Sequence, residues 1–123
     1  MKLLTKEQRA RMLANGKANA ERLADPENVD GKAEDFRPVV KLFNPCGAAM
    51  WLLTELDPED PDIAFGLCDL GLGCPELGTV RISEIQSVRG KLGLPVERDR
   101  YFTPTKTIDA YAKEAWELGY IDT

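Results

Sequence analysis

The sequence predicts an α+β fold: a small, mostly antiparallel sheet of four or five strands, with an N-terminal helix, a short central helix and a C-terminal helix. Three observations carry this expectation. Between Val39 and Ser83, short apolar runs are cut by Asn-Pro, Asp-Pro and Gly-rich turns, the pattern of hairpin-connected strands. A Thr-x-x-Gln capping box opens a helix-favouring stretch near the N-terminus. Near the C-terminus, apolar residues recur at helical spacing and stop at a glycine.

The first helix is expected to start at about Lys6, after the box Thr5-Lys6-Glu7-Gln8, and Ala, Arg, Lys, Glu and Leu sustain it to Ala24. Gly16 weakens its middle and allows either one helix or two short ones. Leu13 falls on the same face as Lys6, Arg9 and Lys17, so no clean apolar stripe emerges and loose docking is expected. Residues 25–37 shift to Asp, Pro, Glu, Asn, Gly and Lys and read as a loop or linker, with Phe36 anchoring its far end.

Residues 38–123 form the α+β core of what size and composition make a single domain, 1–123. Val39–Phe43 is rich in β-branched and aromatic residues and reads as a strand. Asn44-Pro45-Cys46-Gly47 is a turn. Ala49–Leu56 then completes a hairpin, although its Ala-Ala-Met-Trp-Leu-Leu composition is also compatible with helix. Asp57–Asp62 is an acidic loop stiffened by Pro58 and Pro61. Ile63–Leu70 reads as the third strand, and the Gly71–Pro75 link leads to Leu77–Ile82, a half-buried edge strand.

Ser83-Glu84-Ile85-Gln86 repeats the capping-box form and predicts a short helix ended by Gly90. Val96–Phe102 holds a short edge strand, and the Thr103–Thr107 loop supplies an N-cap. The last helix spans Ile108 to about Leu118, with Ile108, Tyr111, Ala112, Ala115 and Leu118 facing the core and Gly119 as its stop. Trp51 and Trp116 are both expected in the core.

With 123 residues, one core is feasible without metal or disulfide help. No apolar run is long enough to span a bilayer, and the start MKLLTKEQ lacks the apolar region of a signal peptide. Cys46, Cys68 and Cys74 are odd in number and form no CxxC pair, so reduced thiols and a cytoplasmic location are expected, with no membrane partner. Cys68 reads as a buried small hydrophobe, and Cys46 and Cys74 as turn residues.

The net charge of −5 argues against a general nucleic-acid binder. Charge is uneven, however: residues 1–23 carry a net +4, which leaves −9 for the remainder. With no histidine in the chain, the usual general base, the Ser-His and Cys-His pairs and the commonest zinc ligand are missing. Gly71-Leu72-Gly73 fits neither a dinucleotide fingerprint nor a P-loop, because Pro75-Glu76 follow and no Lys-Ser/Thr pair does. No cofactor, metal site or catalytic residue is read from the sequence.

Two groups remain as binding candidates. The acidic loop Asp57, Glu59, Asp60 and Asp62, with Asp69 nearby in sequence, reads as a solvated turn or a binding surface; its spacing is not that of an EF-hand. The basic and aromatic residues Lys6, Arg9, Lys17, Arg98, Arg100, Tyr101 and Lys106 are the alternative, suited to nucleic acid.

At PVVKLFNP, WLLTELDPEDPDIAFGLCDLGLG, PELG and FTPTK, together with the LLTKEQR start, the chain resembles the domain-of-unknown-function family 2958. The resemblance implies a short protein of bacterial plasmids and integrative elements, encoded near DNA-transfer and antirestriction genes. It brings no catalytic residues, and the family pattern has aromatics where Cys46 and Cys74 stand. Three functions follow as expectations. The first is a non-enzymatic interaction protein of mobile-element origin that engages a host defence or DNA-processing protein through the acidic loop. The second is a nucleic-acid-associated accessory protein using the basic set. The third is a carboxylate-dependent enzyme.

Overall fold

The computed structural model describes residues 2–90 and 92–123. Its elements run α1 (Lys6–Ala24), β1 (Val40–Phe43), β2 (Met50–Leu56), β3 (Ile63–Asp69), β4 (Glu76–Arg81), α2 (Ile82–Ser87), β5 (Glu97–Arg98) and α3 (Ile108–Leu118). The strands form one five-stranded sheet in the order β4-β3-β2-β1-β5, antiparallel at every pairing. This is the expected α+β architecture, and Met50–Leu56 is strand rather than helix.

Side chains alternate across the sheet and feed two separate cores. Trp51, Leu53 and Leu56 of β2 join Val40, Leu42, Ala64 and Met12 of α1, with Ile82 and Ile85 of α2 closing the cluster. Leu52 and Leu67 instead meet Ile108, Tyr111, Ala112 and Ala115 of α3. Each helix thus has a defined apolar stripe to cover.

The capping box of α1 forms as its sequence requires: Gln8 N–H donates to Thr5 Oγ1 (3.0 Å), and Thr5 N–H donates to Gln8 Oε1 (2.9 Å). Of the two arrangements that Gly16 allowed, the helix takes the continuous one, and the expectation of loose docking needs correction: it is seated tightly, with Met12, Gly16 and Asn19 buried on one face. That face is short on large apolar residues because its neighbour is backbone. β1 stops pairing β2 at Leu53, and α1 covers the β2 stretch beyond it. Asn15 Nδ2 donates to the Thr54 carbonyl at 2.9 Å, and Gly16 lies against the Leu56 carbonyl.

The expected Ser83 cap of α2 is also corrected. The helix starts at Ile82, with Arg81 as N-cap and no side-chain cap bond from it. Ser83 turns to Asp62, twenty-one residues earlier: its N–H reaches Asp62 Oδ1 at 2.9 Å and its hydroxyl Oδ2 at 2.6 Å, while Ile82 N–H donates to the Asp62 carbonyl. Ser83 lies inside the helix rather than at its cap, and the Asp62 carboxylate, a negative charge at the helix start, takes up both of its donors. The helix ends at Ser87, with Val88 extended, so Gly90 is not its terminator; Gly90 N–H instead bonds Leu94 in the following loop.

α3 has Thr107 as N-cap without a side-chain bond; the linker supplies it, through Asp35 Oδ1 accepting from Asp109 N–H (3.0 Å) and the Phe36 carbonyl accepting from Ile108 N–H. Gly119 ends the helix at φ 80°, a left-handed value that favours glycine. Trp51 is core, but Trp116 is 55% exposed, its indole N–H held by the Pro75 carbonyl at 2.8 Å, and Leu118 is exposed as well. Both sit past the stripe that meets the sheet. No described helix is long and apolar enough to cross a membrane.

Candidate functional site

The acidic segment forms the connection from β2 to β3, and its carboxylates are largely engaged by their own loop. Asp57 Oδ1 accepts from Glu59 N–H at 2.9 Å, and Asp60 Oδ1 accepts from Asp62 N–H at 3.4 Å. Arg81 reaches Asp60 at 3.2 Å and Asp62 at 3.5 Å. Ser83's two bonds, joined by Arg81, hold the Asp62 carboxyl below its ordinary range. The stability that Asp62 lends is therefore present above the ordinary carboxylate value and is lost as pH falls through the depressed one. The result is a fixed loop with Asp57 and Glu59 exposed.

Asp69 does not belong to this group. It lies at the opposite end of β3, 4% exposed, where Oδ1 accepts from Gly71 N–H (2.8 Å) and Oδ2 from Ile121 N–H (3.1 Å). It ties the C-terminal tail to the Gly-rich turn.

The basic set is dispersed in its bonding. Lys6, Arg9 and Lys17 are exposed on α1. Arg98 donates to the carbonyls of Lys2 and Leu3, both at 3.0 Å, fastening the N-terminal segment to the sheet. Lys106 pairs with Glu114, which raises its pKa, and lies 5.2 Å over the Tyr111 ring. Arg100 and the 93% exposed Tyr101 border an open groove of about 670 Å³, but Glu97 and Asp99 line it too, so it carries both signs of charge.

The three cysteines are free, with Cys74 exposed and Cys46 and Cys68 half-buried. Burial, helped by the Glu76 charge, pushes the Cys68 thiol up to about 11, so it stays protonated at neutral pH.

A further site was not singled out from the sequence. A cleft of about 340 Å³ opens between α1 and the sheet, walled by Gly16, Asn19 and Leu23 on one side and Leu56, Phe65 and Pro58 on the other. Glu55 is set in this largely apolar lining, and no described Lys or Arg lines it. Glu55 Oε1 accepts from Asn19 Nδ2 at 2.9 Å, and the Thr54 hydroxyl stands 3.5 Å from it and 3.3 Å from the Phe65 carbonyl, with one proton to give. Asn19, 2% exposed, also accepts from Glu34 N–H at 2.8 Å, binding linker, helix and strand together. The pairing shift between Leu53 and Glu55 places Glu55 here, opposite Phe65. A lone acid after an apolar run gave no cue to this in the sequence; Gly16 and Asn19, poor helix formers four and seven residues past Met12, were the available signal.

Burial raises the Glu55 pKa from 4.5, against the opposing bonds from Asn19 and Thr54. A raised carboxylate favours its protonated form in the folded state. Its contribution to stability is full below the unfolded value and is lost as pH rises through the folded one. Glu55→Gln keeps the Oε1 acceptor and removes the charge. It is expected to raise the Tm at pH 7 by about 1–3 °C, discounted for partial exposure, and by nothing at about pH 4. Thermal melts at both pH values check this.

The sequence matches the family described as Protein of unknown function (DUF2958) over residues 3–122. No curated protein and no solved structure gives a significant match to the chain.

Proposed function

The chain belongs to this family of proteins of unknown function, and from that premise we propose that it is a non-enzymatic interaction protein that receives a basic protein partner on the margin formed by the β2–β3 loop. The observation that carries this reading is the held conformation of Asp57–Asp62. Backbone N–H groups, Ser83 and Arg81 fix the loop and leave Asp57 and Glu59 turned to solvent as a preformed negative edge. Fixed, exposed charge suits steering toward an oppositely charged partner, and a pre-ordered loop loses little entropy on binding. The mobile-element setting implied by the sequence resemblance would make that partner a host defence or DNA-processing protein.

Nucleic-acid recognition is less well supported, since Arg98 and Lys106 are committed to internal partners and the adjoining groove contains Glu97 and Asp99. Carboxylate catalysis is also less well supported, because Asp69 stands apart from the other acids.

The test is capture from lysate of the source cell, with and without nuclease, comparing the wild-type chain with Asp57→Lys/Glu59→Lys. Both positions are exposed, and Asp57→Asn, which keeps the Oδ1 acceptor for Glu59 N–H, separates lost charge from a loosened loop. Loss of at least about tenfold in captured partner is expected for two reversed charges at a steering surface. A partner retained in full by the reversed variant, or one recovered only through nucleic acid, would refute the assignment.

A further inference from the structure

We infer that the cleft at Glu55 is a receptor for a lysine side chain of the partner, with the aliphatic stem between α1 and the sheet and the ammonium on Glu55 Oε2. This deepens the preceding reading and rests on it for the source of the lysine, because Asp57 and Pro58 border both the cleft and the acidic loop.

Charge is the first argument. An acceptor-only carboxylate stands in a mostly apolar cleft with Asp57 at its margin and no cation among the described lining residues. The bond from Asn19 and the longer contact with the Thr54 hydroxyl both fall on Oε1, and no described residue donates to Oε2. No described side-chain oxygen is both sealed from solvent and unpartnered, so Oε2, on a residue that lines the cleft, is reached by solvent. The fold also bears this acid at a cost: burial disfavours its charge, and no described residue supplies a counter-ion.

Shape is the second. Leu23, Leu56, Pro58 and Phe65 offer apolar wall, and the cleft's volume of about 340 Å³ accommodates one long side chain. Lysine stems lie along such surface while the head seeks an acceptor. The single open oxygen then selects between cations. Arginine gains from a forked bond to both carboxylate oxygens, whereas Oε1 here already accepts from Asn19. A compact ammonium needs only one.

The experiment follows backbone amide shifts of the isotope-labelled full chain at pH 7 and low salt. The probes are acetylated, amidated Gly-X-Gly tripeptides, with X lysine, arginine or norleucine. The lysine peptide is expected to give saturable shifts at Leu23, Glu55 and Phe65. Norleucine should bind about tenfold more weakly, the loss of one charge-assisted bond, with arginine between them. Glu55→Gln should weaken the lysine peptide by about tenfold, leaving it near norleucine. No shifts at the cleft, equal binding of lysine with norleucine or arginine, or undiminished binding to Glu55→Gln would each overturn the inference. Failure here is separable from failure of the partner reading: capture that still depends on Asp57 and Glu59 would leave that reading standing while the cleft loses its lysine.

Discussion

Gly16→Ala is expected to destabilise the protein by about 2–4 kcal/mol, the reverse of the gain of about 1 kcal/mol that the same change brings in an ordinary helix interior. A Cβ built at Gly16 would stand 1.8 Å from the Leu56 carbonyl oxygen and 2.9 Å from its carbon. Backbone cannot step aside as a side-chain tip can, so α1 would have to lift from β2. Met12 would then leave its fully buried position, and the bonds from Asn15 to Thr54 and from Asn19 to Glu55 would stretch. Urea unfolding measures the loss, with exposed Ala18→Gly in the same helix as the control that should show only the usual penalty of about 1 kcal/mol. A stabilised or unchanged Gly16→Ala protein would mean that α1 is not seated where it is described. The same variant should widen or abolish the Glu55 cleft, because Gly16 forms part of its wall.

Gly66→Ala carries the second large effect, about 3–5 kcal/mol of destabilisation. A Cβ there would meet the Leu52 carbonyl oxygen at 2.0 Å and the Leu53 Cα at 2.8 Å. Gly66 pairs with Leu53 just before the pairing shift, where the bulged β2 backbone crowds β3. Its cross-strand partner Gly78 gives an internal comparison. It has open space around a built Cβ, so Gly78→Ala should be neutral or slightly stabilising. Equal costs for the two would remove the backbone-contact explanation.

These two glycines show where the sequence was legible and where it was not. Strands came through because Val-Val-Lys-Leu-Phe, Ala-Phe-Gly-Leu-Cys and their Asn-Pro, Asp-Pro and Gly-rich boundaries encode local conformation. The ends of α1 and α3 came through because a capping box and a terminating glycine are local as well. Seating was not legible. Gly16 read as a weak point in a helix, whereas its missing side chain is what lets the helix approach β2. Ser83 read as its own helix cap, but Asp62 outcompetes it from another loop. Trp116 read as core from its place in an apolar helix, yet its face lies past the sheet and only its N–H is engaged.

The site divides in the same way. Asp57, Glu59, Asp60 and Asp62 were visible because turn-forming acids and prolines cluster in sequence. The cleft was hidden because residues 16, 19, 20, 23, 33, 55–58, 63–65 and 79 come together only through the helix–sheet contact. Glu55 takes its place there through a bulge, and no sequence spacing announces one.

The measurement closest to the central claim is the titration of the Glu55 carboxyl carbon by NMR, in the free protein and saturated with the lysine tripeptide. In the free chain the pKa should lie above 4.5, as burial without a counter-ion requires. With the peptide bound it should fall, because the arriving ammonium favours the charged form. A free value at or below 4.5, or one that the lysine peptide leaves unmoved, would contradict the account of the cleft as a cation site.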